Sequence, residues 1–157
     1  MKLKEFIKQN RLPDTFADSA ERCFLPYAER LASQLAKHAD DTYVLGINGA
    51  QGTGKSTLAD LLRDYLESDY DKNVVVLSID DIYLTRDERA ALAEDVHPLL
   101  QSRGVPGTHD VALGIAVIKE LGALQEGETC QVPRFDKSQD DRFPQAHWAT
   151  AVSYTHL

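Results

Sequence analysis

The stretch "GINGAQGTGKST", residues 46–57, decides the fold. It crowds glycines, a lysine and hydroxyl side chains into one turn between an apolar run and a helical pattern. Within it, Gly49-x-x-x-x-Gly54-Lys55-Ser56 fits the Walker A pattern. Each residue type has a reason. Glycines let a loop take conformations that a Cβ forbids, and let backbone N–H groups face an anion. A helix beginning near Gly54 points its positive end at the same place. Lys55 can reach β- and γ-phosphates, and Ser56 can ligate Mg²⁺. Thr57 is placed to meet an α-phosphate. The nucleotide-binding set is therefore Gly49, Ala50, Gln51, Gly52, Thr53, Gly54, Lys55, Ser56 and Thr57, with ATP and Mg²⁺ implied. Average residue frequencies give this pattern by accident in roughly one chain in two hundred of this length. Here a predicted strand also precedes it and a predicted helix follows.

Outward from the loop, "TYVLGI" (42–47) reads as a short apolar strand. "STLADLLRDYLE" reads as a helix with Leu58, Leu61, Leu62, Tyr65 and Leu66 on one side. "NVVVLSI" (73–79) is β-branched and continuous, as in a strand covered on both faces. Strand, helix, strand is a right-handed βαβ unit with parallel strands. The fold class is α/β. Upstream, residues 2–9 form a short amphipathic helix. From Phe16 to about Lys37 a second helix carries Phe16, Ala20, Cys23, Phe24, Tyr27, Leu31 and Leu35 at helical spacing, a core-packing stripe. Pro26 predicts a break or kink in it. Downstream, Asp87–Ala93 is helical, Asp110 N-caps a helix over Val111–Leu124, and "TCQVP" is a short strand.

The totals narrow the partners. A chain of 157 residues with 43% hydrophobic content favours one domain with a real core. The net charge of −8 argues against nucleic acid, whose backbone needs a surplus of Lys and Arg, but not against a small anion held locally. Cys23 and Cys130 lack metal or redox spacing and read as two buried free thiols in a reducing compartment. No apolar stretch approaches the ~20 residues that cross a bilayer. "MKLKEFIKQN" is too charged for a signal peptide. The expectation is a cytoplasmic protein with a small-molecule substrate and no membrane partner. Its oligomeric state stays open.

"LSIDDIYLT" puts Asp80 and Asp81 at the carboxyl end of the second strand, the edge where open α/β sheets bind ligands. A carboxylate there can take a proton from an attacking hydroxyl or hold Mg²⁺ through water. Equally, one of the two can cap the helix that follows. The preferred division makes Asp80 the base and Asp81 the capping or supporting residue.

With these segments in view, the chain resembles the ATP-dependent glycerate kinases (D-glycerate 3-kinase-like), a branch of the P-loop kinases related to phosphoribulokinase, uridine kinase and pantothenate kinase. The resemblance lies in "GINGAQGTGKSTLA", "LSIDDIYLTRDER", "HPLLQSRGVPGTHD" and "VPRFDKSQDDR", in order from Gly46 to Arg142. It implies a three-layer α/β/α P-loop NTPase core around a parallel sheet. It implies Lys55 and Asp80 as catalytic residues, Asp80 being the base. It puts Asp81 and Tyr83 of "DDIY", Arg103, His109 and Asp110 of "RGVPGTHD", and Arg134, Asp136 and Lys137 of "PRFDKS" on the acceptor side. An acid such as glycerate needs a cation for its carboxylate, which Arg103, Arg134 or Lys137 could supply. Asp110 reads equally as a plain N-cap, His109 as a loop hydrogen-bonder, and Arg142 as a solvated surface charge.

The resemblance also implies parts that this sequence lacks: an acidic Walker B-like strand end, a lid with phosphate-binding arginines, and an adenine-binding region. The missing strand would lie between the two predicted ones, leaving them roughly 10 Å apart with unpaired edges. "VSYTHL" (152–157) reads like a translated sequencing adapter. The expected organisation is a helical segment over 1–40, an incomplete P-loop kinase core over 41–151 and a non-native tail over 152–157. The expected activity is transfer of the γ-phosphoryl of ATP to a metabolite hydroxyl, glycerate first, by a parent of which this chain is an inactive fragment. The alternatives are another acceptor, such as a nucleoside or pantothenate-like alcohol, or a nucleotide-binding regulatory ATPase.

Overall fold

The computed structural model describes residues 2–38 and 42–153. They form two compact units, residues 1–76 and 77–157.

The first unit is helical. α1 spans Leu3–Gln9 and α2 spans Phe16–Ser19; a π-helical stretch over Ala20–Phe24 leads into α3 (Leu25–Leu35) and a 3₁₀ turn at Ala36–His38. α4 spans Lys55–Tyr70. The predicted break falls just ahead of Pro26, which lies in the first turn of α3. Proline has no N–H to donate to the turn before it, and a widened turn accommodates that loss. The widening resets the apolar stripe. Inward positions step by four through Phe16, Ala20, Phe24 and Ala28, and then run on to Leu31, Ala32 and Leu35. Cys23 therefore faces out, correcting the expectation of a buried thiol there, and Tyr27 is 36% exposed.

Two apolar clusters hold this unit. Phe6, Ala20 and Leu61 form one, with Leu3, Leu12, Phe16 and Phe24 against it. The Phe16 ring lies 6.3 Å from Phe6 and 5.9 Å from Phe24. Leu31, Ala32 and Leu66 form the second, with Leu35, Leu45 and Val74 packed on it. Each buried leucine contributes about 1.5–3 kcal/mol by leaving water. The N-terminal helices thus share a core with α4, the helix that follows the loop.

The predicted strands at 42–47 and 73–79 are not formed. Among the described residues neither joins a sheet, and no parallel pair exists. An apolar run becomes a strand only when a neighbour supplies the ladder of N–H and C=O partners. Val44 (64% exposed) and Ile79 (66%) lie open, where a strand covered on both faces would be buried.

The second unit begins with a 3₁₀ turn at Ile79–Ile82. α5 (Arg86–Asp95) starts on a capping box: Thr85 accepts from the Glu88 N–H at 3.3 Å, and Glu88 accepts from the Thr85 N–H at 2.7 Å. α6 (Val111–Ala123) starts on Asp110, whose Oδ1 accepts from the Leu113 N–H at 2.9 Å, as the sequence predicted. β1 (Thr129–Val132) is also as predicted. It pairs antiparallel with β4 (Ala149–Val152), which the sequence reading missed, in the register Cys130↔Ala151. β2 (Phe135–Asp136) pairs with β3 (Asp141–Arg142). Cys130, Val132, Val117 and Phe135 form the buried side of this unit. Of the predicted tail, Val152 closes β4, and Ser153 continues its pairing, accepting from the Gly127 N–H at 2.9 Å and donating to Glu128 O at 3.0 Å. Tyr154–Leu157 lie outside the described residues. Among the described residues no helix is long and apolar enough to cross a membrane.

Candidate functional site

The phosphate loop lies in the first unit. Its last glycine, Gly54, caps α4 with φ 84°, a left-handed conformation that L side chains resist. Gly49 fits closely too: a Cβ there would stand 3.1 Å from Thr53 Oγ1. Thr53 braces the turn by donating to Ala50 O at 2.8 Å. Lys55, the first residue of α4, folds back over the loop and donates to Gly49 O at 2.7 Å and Ala50 O at 2.8 Å. Its ammonium therefore sits over the turn, where an incoming phosphate would be met. Gln51, Gly52 and Ser56 are exposed, and Thr57 is half-buried in the first turn of the helix. Backbone N–H groups at a sixteen-residue helix start, a cationic side chain and two hydroxyls fit a nucleotide phosphate. Ser56 fits a cation carried on such phosphates, since Mg²⁺ of this kind takes few protein ligands. Among the described residues no three His, Cys, Asp or Glu gather as a metal site of their own.

The acceptor-side candidates lie in the second unit, and there the neighbouring carboxylates part ways. Asp81 is consumed by the fold. It accepts from the Ser78 N–H at 3.2 Å, from Arg134 Nη1 at 3.2 Å and from the Phe135 N–H at 3.2 Å. It thereby caps the 3₁₀ turn and ties it to the segment entering β2. Asp80 instead presents its carboxylate outward, paired with Lys137 Nζ at 2.8 Å.

Tyr83 lies between them and the loop at residues 102–108. It bridges to His109 across one antiparallel pair, and the two rings stack at 4.2 Å. Phe135 meets Tyr83 edge-on at 5.4 Å. Burial pushes the Tyr83 hydroxyl above its usual range. The Asp80 charge and a hydrogen bond to Asp80 push the same way, while Arg103 and Lys137 oppose them. Asp80, Tyr83, Arg103 and Lys137 therefore gather around one hydroxyl, with His109 behind the ring. Arg134 and Asp136, like Asp81, fall outside that group. Arg134 pairs with Asp81. Asp136 turns its Oδ1 to the Ser138 hydroxyl at 2.6 Å and the Ser138 N–H at 2.8 Å, bonds that hold its carboxyl below the ordinary range.

Arg142 corrects the expectation of a solvated charge. Its side chain is 13% exposed and pairs with Asp110 at 3.1 Å and Glu88 at 3.6 Å, so Asp110 both caps α6 and holds β3. Sequence reasoning also missed Arg89, Phe135 and Asp140. Arg89 is fully buried and donates from Nη2 to Asp140 O at 2.7 Å and Asp140 Oδ2 at 2.8 Å. Charged residues carry no hydrophobic period, so no pattern in the sequence marks such a pair. The Thr85-x-x-Glu88 capping spacing is the signal that could have located the start of α5, which the sequence reading placed at Asp87.

Comparison with known proteins adds the following. The KAP family P-loop domain matches residues 24–121. Uncharacterized kinase mug58 of Schizosaccharomyces pombe is 40% identical over 117 residues, covering 69% of this chain and 41% of that protein. The chloroplastic D-glycerate 3-kinase of Arabidopsis thaliana is 36% identical over 121 residues, covering 71% of this chain and 26% of that protein. Among solved structures, the D-glycerate 3-kinase of Cryptococcus neoformans var. grubii superposes with a TM-score of 0.68 at 30% identity, covering 83% of this chain and 48% of that one. The chain spans less than half the length of each of these relatives.

Proposed function

The chain belongs to the KAP family of P-loop domains, and from that premise we propose that the protein is an ATP-dependent, cytoplasmic small-molecule kinase that phosphorylates a hydroxyl, with glycerate as the acceptor. The similarity to proteins named D-glycerate 3-kinase supports the acceptor. The observation that carries the reading is the contrast between the paired aspartates. Asp81 spends both oxygens on the fold, while Asp80 keeps a half-exposed carboxylate, paired with Lys137 and hydrogen-bonded to the Tyr83 hydroxyl. A three-layer core around a parallel sheet belongs to the same proposal for the protein expressed from its full reading frame and is supported by the likeness to a solved D-glycerate 3-kinase, although the runs at 42–47 and 73–79 are unpaired in this structure.

In this reading the backbone of residues 49–54 cradles the phosphates, and Lys55 leaves its loop carbonyls to neutralise the β- and γ-phosphates. Ser56 would hold Mg²⁺, which when bound would neutralise phosphate charge. Asp80 orients the acceptor hydroxyl and takes its proton as the oxygen bonds to the γ-phosphorus and the bond to ADP breaks. Arg103 and Lys137 are the cations available for an acceptor carboxylate, since Arg134 is engaged with Asp81. Catalysis is mainly positioning and charge stabilisation, because the transition state is loose.

The test is ADP release by the protein expressed from its full reading frame, supplied with Mg-ATP. Release that depends on D-glycerate supports the proposal. Release only with a nucleoside or pantothenate-like alcohol moves the acceptor. Equal release with no acceptor makes the protein an ATPase and ends the kinase reading.

A further inference from the structure

Asp140 is held in place from two directions. It closes the turn between β2 and β3 with φ 54°, a left-handed conformation that aspartate tolerates better than most residues. Behind it, the buried Arg89 grips both its carbonyl and its Oδ2. In front, its Oδ1 accepts from Arg103 Nη1. Both guanidiniums lie against the Phe135 ring, their carbons 5.7 Å and 5.6 Å from its centroid, which adds an attractive surface for each.

Stability alone does not explain this chain of charges. A buried ion pair seldom outperforms apolar side chains of the same volume. Among the described residues the buried Arg89 Nε also meets no partner, a further cost. The outer pair is exposed, with 36% of the Arg103 side chain and 45% of the Asp140 side chain open to water, and such pairs stabilise little. What the arrangement does supply is orientation. Arg103 sits on a loop, and a free arginine there must give up its rotamer freedom when it grips a ligand. Tied through Asp140 to a buried anchor, it has given up that freedom in advance.

The geometry points to Asp140 as a positioning residue of the acceptor site: fixed by Arg89, it sets the Arg103 guanidinium to grip the carboxylate of a small hydroxy acid. The inference rests on the kinase reading above and extends it to two residues to which the sequence assigned no role. Asp140 does not touch the acceptor; it acts through Arg103.

The experiment is a double-mutant cycle on the protein expressed from its full reading frame, measuring kcat and KM for D-glycerate under saturating Mg-ATP. Asp140→Asn raises KM about tenfold and leaves kcat within about twofold, because the interaction lost is one of binding geometry. In an Arg103→Met background the same change adds nothing, because the residue it serves is gone. An unchanged KM in Asp140→Asn, or additive effects in the double variant, overturns the inference. Should Asp140→Asn fail to fold because it strands the Arg89 charge, Arg89→Met with Asp140→Asn removes charge and partner together. The tenfold rise in KM is expected there too, and its absence is equally fatal. No glycerate-dependent turnover in the unmutated protein overturns the kinase reading and this inference with it. Turnover with KM untouched by Asp140→Asn overturns this inference alone.

Discussion

The phosphate loop and the acceptor-side cluster are built on opposite principles. In the first unit every contact that shapes the loop is local: Lys55 reaches back six residues to Gly49 and five to Ala50, and Thr53 reaches three to Ala50. In the second unit the contacts join distant segments. Asp81 meets Arg134 across 53 residues, Arg89 meets Asp140 across 51, and Arg142 meets Asp110 across 32. A local, backbone-borne site tolerates a missing sheet neighbour, because its shape comes from glycine conformations and a helix start. A site of side chains from distant segments exists only when the surrounding fold is correct. Ligand chemistry in the loop should therefore separate cleanly from folding, while in the cluster the two should be entangled residue by residue.

The largest effect tests the loop. Lys55→Ala removes the side-chain cation of the turn but only two hydrogen bonds to exposed carbonyls. Turnover of the full-length protein should fall by about 10³-fold or more, as when a preorganised charge is removed from a phosphoryl-transfer site. The thermal midpoint should stay nearly unchanged. Steady-state kinetics beside a melt check both halves. Near-normal turnover would remove Lys55 from the mechanism; a large loss of stability would mean that the loop is not the self-contained element described here.

Next is the contrast between Asp80 and Asp81. Asp80→Asn keeps the shape and removes the basic oxygen, so turnover should drop by about 10²–10⁴-fold with ATP binding and stability retained. Asp81→Asn should do the reverse. It weakens a cap and two cross-segment bonds, costing about 1–3 kcal/mol in a denaturant titration, with only a modest kinetic effect. If Asp81→Asn is the kinetically crippling change and Asp80→Asn is mild, the roles are exchanged.

The same contrast explains what the sequence disclosed. The loop, α4, the Asp110 cap, α6 and β1 were legible because each is announced by residues close together in the chain. The interruption near Pro26 was legible too, though its effect on the stripe was not: a π-helical turn moves the inward face by one position, and Cys23 goes out with it. The strands at 42–47 and 73–79 were read from composition, which reports a preference to be buried but not whether a neighbour is there to complete the ladder. Arg89, Asp140 and the engaged state of Arg142 were invisible, since an ion pair between distant segments leaves no period in the sequence. β4 was missed because its run, Ala149–Val152, is short and half alanine, a weak strand former.

The smallest effect compares the two thiols, one in each unit. Cys23 is exposed on the π-helical stretch, whereas Cys130 is sealed inside β1. Burial pushes the Cys130 thiol up to about 11 from 9.0, with Glu120 adding to the rise. At pH 8, iodoacetamide should label Cys23 readily and reach Cys130 only at the rate at which the second unit opens. The raised value also fixes the sign of a pH effect. Below about pH 9 both the folded and unfolded states keep the proton, and stability is unaffected. Between 9 and 11 the unfolded thiol ionises while the folded one does not. The unfolded state then binds fewer protons, and stability falls as pH rises until the folded thiol ionises as well. Tyr65 in the first unit, raised to about 12 from 10.0 mainly by burial and then by Tyr70, adds a separate decline that begins about one pH unit later. Urea midpoints taken from about pH 8 to about pH 11 should slope downward from about pH 9, and Cys130→Ala should flatten that early part while leaving the later decline in place. A Cys130→Ala protein that keeps the whole early slope would show that the buried thiol does not govern it.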